Sequence, residues 1–264
     1  MDNRAIGVFD SGIGGLTVVN ALTTVLPNEK FIYVGDTARV PYGNKSIDSI
    51  RQYSLEITKW LLKKNCKMIV VACNTVSSLV LDYLTSSISI PIIGVIDPGV
   101  EQAISISKNN KIAVLGTHAT IRSNAYGKRL KKVNPEIEVI SQACPLFVPL
   151  VEEGWVEGKI PRQIAKHYFN NLVKLDVDTI ILGCTHYPLL KSTIHTVLKN
   201  KAMLVDSGEA TAKTVFLTLK KLNALSNLTD YEIDCYVTDD PDLFNEVALQ
   251  FVLKKINKTS HIDL

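Results

Sequence analysis

Two cysteines stand at matching places in two similar stretches of this chain. Met68-Ile69-Val70-Val71-Ala72-Cys73-Asn74-Thr75 is an apolar run ending in Cys-Asn-Thr. Thr179-Ile180-Ile181-Leu182-Gly183-Cys184-Thr185-His186 is an apolar run ending in Cys-Thr-His. Each run suits a buried strand, and each precedes a helix-like stretch. A free thiol titrates near pH ~8.5, lower at a helix N-terminus or beside a cation. Its thiolate can act as a general base and its protonated form as a general acid. Two thiols at equivalent stations can address opposite faces of one bound molecule, which is what inverting a stereocentre by proton transfer requires. One such cysteine alone reads as a structural residue. A matched pair, each followed by hydroxyl, amide or imidazole groups, favours chemistry.

Other residues could assist. Asp10 lies in Phe9-Asp10-Ser11-Gly12-Ile13-Gly14-Gly15, where glycines let a backbone approach a ligand closely. No Gly-Lys-Ser/Thr follows and the GxGxxG spacing is absent, so neither nucleotide-binding fingerprint is present. Asp10 could hold an ammonium or orient a base. Equally, Asp10 or Ser11 could cap a helix. His186 follows Cys184 by two residues and could tune its proton transfer, or could be a turn histidine before Tyr187-Pro188. Glu152 and Glu153 follow Pro149-Leu150-Val151, and one of them could face a site. His118, His167, His195 and His261 form no metal-ligand spacing, so no metal is expected.

Short apolar runs alternate with helical patterns along the chain. Strands are expected at Ala5–Phe9, Phe31–Gly35, Met68–Ala72, Ile92–Ile96, Ile112–Leu115, Glu138–Ile140, Thr179–Leu182, Ala202–Val205 and Tyr231–Val237. Helices are expected at Leu16–Val25, Ile47–Lys64, Val76–Leu84, Gly99–Ser107, Ile121–Val133, Ile160–Leu175, Leu189–Leu198, Ala210–Leu222 and Asp242–Ile256. Apolar strands between amphipathic helices imply an α/β fold with mostly parallel sheets. Ligands in such sheets sit at the carboxyl ends of strands. The unusual residues cluster there: Asp10-Ser11-Gly12, Asp36-Thr37, Pro41-Tyr42-Gly43, Cys73-Asn74-Thr75, Thr117, Thr120 and Cys184-Thr185-His186.

A weak duplication supports two similar domains. Ile6–Ser11 is echoed by Ile112–Thr117, and the Asp10–Cys73 and Thr117–Cys184 spacings nearly agree. Gly94–Gly99 also resembles Leu204–Gly208, which reads as two hinge crossings. The expectation is a first α/β domain of residues 1–97 plus 207–264 and a second of 98–206. They would be pseudo-symmetric about an interdomain cleft.

The bulk properties exclude several classes. The 264 residues are 46% hydrophobic and 21% charged, ordinary for a soluble globular protein. A net charge of +3 with scattered Lys pairs argues against nucleic-acid binding. No apolar run approaches the roughly 20 residues of a membrane span, and no signal-peptide h-region follows Met1. A cytoplasmic location is expected. The five cysteines form no CxxC pair and read as free thiols. Cys66, Cys144 and Cys235 read as buried small apolar residues.

The motifs GVFDSGIGGLTV (Gly7–Val18), GDTARVPYG (Gly35–Gly43), ACNTVSS (Ala72–Ser78), PLFVPLVEEG (Pro145–Gly154), GCTHYPLL (Gly183–Leu190) and VDSGEA (Val205–Ala210) run in order through the chain. On these the chain resembles the bacterial glutamate racemases, of the cofactor-independent aspartate/glutamate racemase superfamily. The resemblance implies two-base racemisation of glutamate without a cofactor. Cys73 would act on D-glutamate with Asp10 assisting. Cys184 would act on L-glutamate with His186 assisting and Glu152 as a further helper. It places substrate contacts at Asp10, Ser11, Tyr42, Gly43, Asn74, Thr75, Thr185 and His186. It implies a homodimer, and D-glutamate for peptidoglycan synthesis. The N-terminal extension of some members is lacking, so no nucleotide-precursor activator site is expected. The competing readings are a racemase for aspartate or another small acid, a two-lobed amino-acid-binding protein, and a thiol redox protein.

Overall fold

The computed structural model describes every residue except Asn171, Tyr231 and Leu253, together with the side chain of Val173. The expected strand start at Tyr231 and the expected helical positions Asn171 and Leu253 lie outside the described residues. The strands are β1 Ile6–Asp10, β2 Lys30–Gly35, β3 Met68–Val71, β4 Ile92–Gly94, β5 Lys111–Gly116, β6 Glu138–Ala143, β7 Thr179–Gly183, β8 Met203–Asp206, β9 Glu232–Val237 and β10 Lys258–His261. The first half-dozen helices are α1 Leu16–Val25, α2 Ile47–Lys63, α3 Asn74–Leu79, α4 Leu81–Ser87, α5 Ile96–Ile106 and α6 His118–Ser123. The rest are α7 Ala125–Val133, α8 Phe147–Glu152, α9 Lys159–Phe169, α10 Lys191–Leu198, α11 Ser207–Lys221 and α12 Pro241–Ala248.

These elements build two parallel sheets flanked by helices. One sheet has the order β10-β9-β2-β1-β3-β4 and the other β6-β5-β7-β8. The central order repeats: β2-β1-β3-β4 in the first matches β6-β5-β7-β8 in the second. Every residue of β1, β3 and β7 is buried, as expected for parallel strands covered on both faces. One core cluster joins residues of both sheets, from Val8 and Tyr33 to Leu115 and Leu182. Helix α11 packs on both α1 and α5 and so bridges the two sheets.

Register places the functional stations side by side. Phe9 pairs with Val71, so Asp10 and Cys73 end neighbouring strands. Gly116 pairs with Gly183, so Thr117 and Cys184 end neighbouring strands of the second sheet.

Several elements depart from the sequence reading. The expected helix Val76–Leu84 is two helices broken at Val80. Ile121–Val133 is divided at Asn124, which adopts the left-handed conformation at φ 53°. Helix α8 was not anticipated because it contains Pro149. That residue falls in the first turn, where its missing N–H has no intrahelical partner to lose. Strand β10 was missed because Lys-Thr-Ser-His has no apolar run; it is an edge strand beside β9. Cys184 does not abut an α-helix. A short 3-10 turn, Tyr187–Leu190, lies between it and α10. Among the described residues, no helix is long and apolar enough to cross a membrane.

Candidate active site

Cys73 and Cys184 line one partly open cavity of about 50 Å³. Ser11, Tyr42, Gly43, Asn74, Thr75, Glu152, Thr185 and His186 line it too, with Val40, Pro41, Thr117 and Val148. The lining therefore comes from strand ends of both sheets. Wider surface clefts of about 350 to 500 Å³ exist elsewhere, but no thiol lines them. Among the described residues no cluster of His, Cys, Asp or Glu is arranged to hold a metal ion.

The two thiols have different neighbours. Cys73 is the N-cap of α3, and its Sγ lies 3.6 Å from the Ser11 hydroxyl. Burial pushes this thiol up to about 12, and the nearby Asp10 carboxylate adds to the shift. The Val76 N–H and Ser11 pull in the opposite direction without prevailing. Cys184 Sγ lies 3.9 Å from His186 Nδ1. His186 Nε2 is 2.9 Å from Glu152 Oε1. Burial alone would lower the His186 imidazole, but hydrogen bonds to Cys184 and Glu152 outweigh it and raise it to about 10. An imidazolium is therefore the favoured form in this surrounding.

Asp10 does not line the cavity; it sits behind it, 1% exposed. Its Oδ2 accepts from the Gly15 N–H at 2.9 Å, while Oδ1 is buried without a partner. Burial raises its carboxyl above the usual range, opposed by the charge of His186 and by the N–H groups of Gly15, Gly12 and Ser11. A carboxylate in this setting can orient or repel charge at Cys73 without contacting solvent. Asp10 is not the N-cap of α1, which is Gly15 without a side-chain cap; it holds the N–H of that residue instead.

The glycine loop after β1 explains why those residues are small. Tyr33 donates its hydroxyl to the Gly12 carbonyl at 2.6 Å and pins the loop from below. A Cβ on Gly14 would lie 2.4 Å from both His186 Nδ1 and Thr185 Oγ1. The loop of the first sheet thus presses directly on Thr185 and His186 of the second. Thr17 Oγ1 donates to the Thr185 carbonyl at 2.9 Å and closes the same seam.

Tyr42 lines the cavity and is itself buried. Its hydroxyl donates to the Asp36 carboxylate, which also accepts from Arg39 Nε at 2.9 Å and Thr238 Oγ1 at 2.9 Å. Gly43 packs close to Thr117 across the seam. Thr75, Thr117 and Thr120 form a hydroxyl cluster with separations of 3.1 to 3.4 Å. Of the paired glutamates, Glu152 turns to His186 while Glu153 is exposed and does not line the cavity.

Residues 15–215 match the Asp/Glu/Hydantoin racemase family. A glutamate racemase from Geobacter metallireducens is 45% identical over 262 residues, covering 99% of this chain and 97% of that protein. The chain belongs to the glutamate racemase family. As a racemase it is an isomerase. The fold agrees with solved glutamate racemases. An isoform from Bacillus anthracis superposes with a TM-score of 0.96 at 36% identity, over 100% of this chain and 99% of that one. The Francisella tularensis glutamate racemase, solved in complex with D-glutamate, gives 0.93 at 40% identity over 100% and 98%.

Sequence reasoning passed over Tyr33, Tyr126 and Asp36 as site-building residues. Tyr33 and Tyr126 sit inside strand and helix patterns that explain them as core. Their hydroxyl partners, Gly12 and Asn74, are distant in sequence. Asp36 was visible only as a turn residue.

Proposed function

We propose that this protein interconverts L- and D-glutamate by proton transfer at Cα between two thiols, without a cofactor. The observation that carries the proposal is two buried thiols from equivalent strand ends lining one cavity. The glutamate racemase relatives support glutamate as the substrate.

The charge on His186 and the proton on Cys73 suit one direction. His186 as imidazolium, 3.9 Å from Cys184 Sγ, offsets the charge of a thiolate there. Cys73, pushed up to about 12, rests as the thiol. Cys184 thiolate then takes the α-proton of L-glutamate, and the Cys73 thiol gives its proton to the opposite face. The product is D-glutamate, with Cys73 as thiolate and Cys184 as thiol. The reverse reaction starts from that second state, and Asp10 assists Cys73 in it.

An amino-acid α-proton is very weakly acidic, so the carbanionic transition state needs oriented donors and little water. Ser11, Asn74, Thr75, Thr185 and the backbone at Gly43 supply donors, and Asp10, Tyr42 and His186 complete the proposed contacts. Glu152 holds His186 and keeps it charged. The pattern of sheets supports a first domain of residues 1–97 plus 207–264 and a second of 98–206. The same reading takes the protein as a cytoplasmic homodimer that supplies D-glutamate for peptidoglycan.

The test is L-glutamate in D2O, followed by circular dichroism and proton NMR with no cofactor added. Loss of optical activity with deuterium appearing at Cα is expected. A requirement for pyridoxal phosphate, or binding without exchange, would sink the proposal.

A further inference from the structure

Tyr126 touches both thiol stations at once. It lies on α7, in the half that carries Cys184, and is 2% exposed. Its hydroxyl donates to Asn74 Oδ1 at 2.6 Å, and Asn74 immediately follows Cys73. The same hydroxyl lies 3.0 Å from Ser207 Oγ, at the start of α11. Its ring lies against Gly183, the residue before Cys184, where a Cβ would come within 3.1 Å of the ring. A Cβ on Gly99 would come within 2.9 Å of Ser207 Oγ and 3.6 Å of the ring. Two glycines on different elements thus leave room for this one side chain.

The hydroxyl chain has a direction. Burial raises the Tyr126 phenol above its usual range, so it stays protonated. With one proton given to Asn74 Oδ1, its oxygen is left to accept from Ser207, whose hydroxyl also lies 3.4 Å from the Leu182 carbonyl. The Asn74 carboxamide is then held by its oxygen, and its Nδ2 hydrogens on the other side remain for a ligand. Without the phenol that amide could flip, presenting an acceptor to a substrate carboxylate.

We propose that Tyr126 is a positioning residue that fixes the Asn74 amide as a hydrogen-bond donor to the substrate. The proposal rests on the reading of Asn74 as a glutamate contact. It adds a residue of the second half that organises a contact in the first.

The test is a double-mutant cycle of Tyr126→Phe and Asn74→Ala. It is read in kcat/KM for both glutamate enantiomers and in D-glutamate affinity by calorimetry. Tyr126→Phe keeps the ring packing and removes the hydroxyl. It should lower kcat/KM about tenfold, the size of one lost buried hydrogen bond. The loss should fall mainly on KM, with the pH profile unmoved, because Tyr126 does not touch the transferred proton. In the Asn74→Ala background the same change should cost less than about twofold. A full, multiplicative loss there would show that Tyr126 acts independently of Asn74 and overturn the proposal. Should Tyr126→Phe not fold, Ser207→Ala perturbs the chain from its far end and should show the same non-additivity; its additivity would count equally against the proposal. Wild-type protein that neither turns over nor binds glutamate would overturn both this proposal and the reading beneath it. An active wild type with additive losses would overturn this one alone.

Discussion

The two thiols occupy the same place in two copies of one strand pattern, yet their surroundings differ. Cys73 faces a hydroxyl and a buried carboxylate. Cys184 faces an imidazole that Glu152 holds in place. Burial is nearly equal for the two, 5% and 6% exposed. The difference therefore comes from neighbours, not depth. A backbone repeat can thus set geometry symmetrically while side chains give each thiol a different partner. An enzyme that moves a proton from one face to the other gains from that asymmetry, since one partner must begin charged and the other neutral.

The strongest way to break the comparison is to remove either thiol. Cys73→Ala and Cys184→Ala should each reduce racemisation by at least about 10³-fold in a polarimetric assay. Cys73→Ser should be crippled as well, because a hydroxyl is a far weaker acid than a thiol. Near wild-type turnover in any of these variants would remove that thiol from the mechanism.

A finer test separates the two assistants. The enantiomers are equal in energy, so kcat/KM must fall equally in both directions for any variant. The asymmetry has to appear elsewhere. In His186→Gln, with turnover down about 10²-fold, the primary isotope effect on Cα-deuterated L-glutamate should exceed that on the D form. Asp10→Asn should show the reverse. Equal isotope effects in both variants would mean that neither residue belongs to one thiol.

The neighbouring glutamates sharpen the point at smaller scale. Glu152→Gln should lower turnover several-fold by weakening a charge-assisted hydrogen bond. Glu153→Gln should leave it within about twofold. Steady-state kinetics with equal losses in both would show that the Glu152–His186 contact is without consequence.

The smallest expected signal is thermal. His186 is raised to about 10 in the fold, above its ordinary ~6.5 when unfolded. The folded protein then holds a proton that the unfolded chain releases. The stabilisation is fully present below about pH 6.5 and is lost progressively as pH rises through about 10. Tm should fall over that interval by a few degrees, and His186→Gln should flatten the fall in calorimetry. A variant with the wild-type slope would mean that His186 is neutral in the folded protein.

The architecture was largely legible because its signals are local. Strands such as β1, β3 and β7 are built on apolar runs, and parallel pairing follows from helices between them. Legibility failed where local pattern and tertiary role part. Helix α8 hides behind Pro149, and β10 is polar because it needs only one neighbour. Among the cavity-lining residues, Ser11, Cys73, Asn74, Thr75, Cys184, Thr185 and His186 stand at strand ends where α/β chemistry gathers, so their positions could be named from the chain. That Asp10 stands behind the cavity could not, nor that Tyr42 gives its hydroxyl to Asp36.

The amino-acid sequence by itself determined a duplicated α/β chain with a cysteine at the same strand end in each copy. Periodicity and apolar runs act over a few residues, and the chain carries them directly. The tertiary structure alone decided which group each thiol meets. Glu152 rather than Glu153 reaches His186, since successive helical residues point about 100° apart and only packing selects one. Gly14 must be bare because His186 arrives from the other half. Charge states follow from these through-space neighbours and from burial, neither of which is encoded in any short segment of the chain.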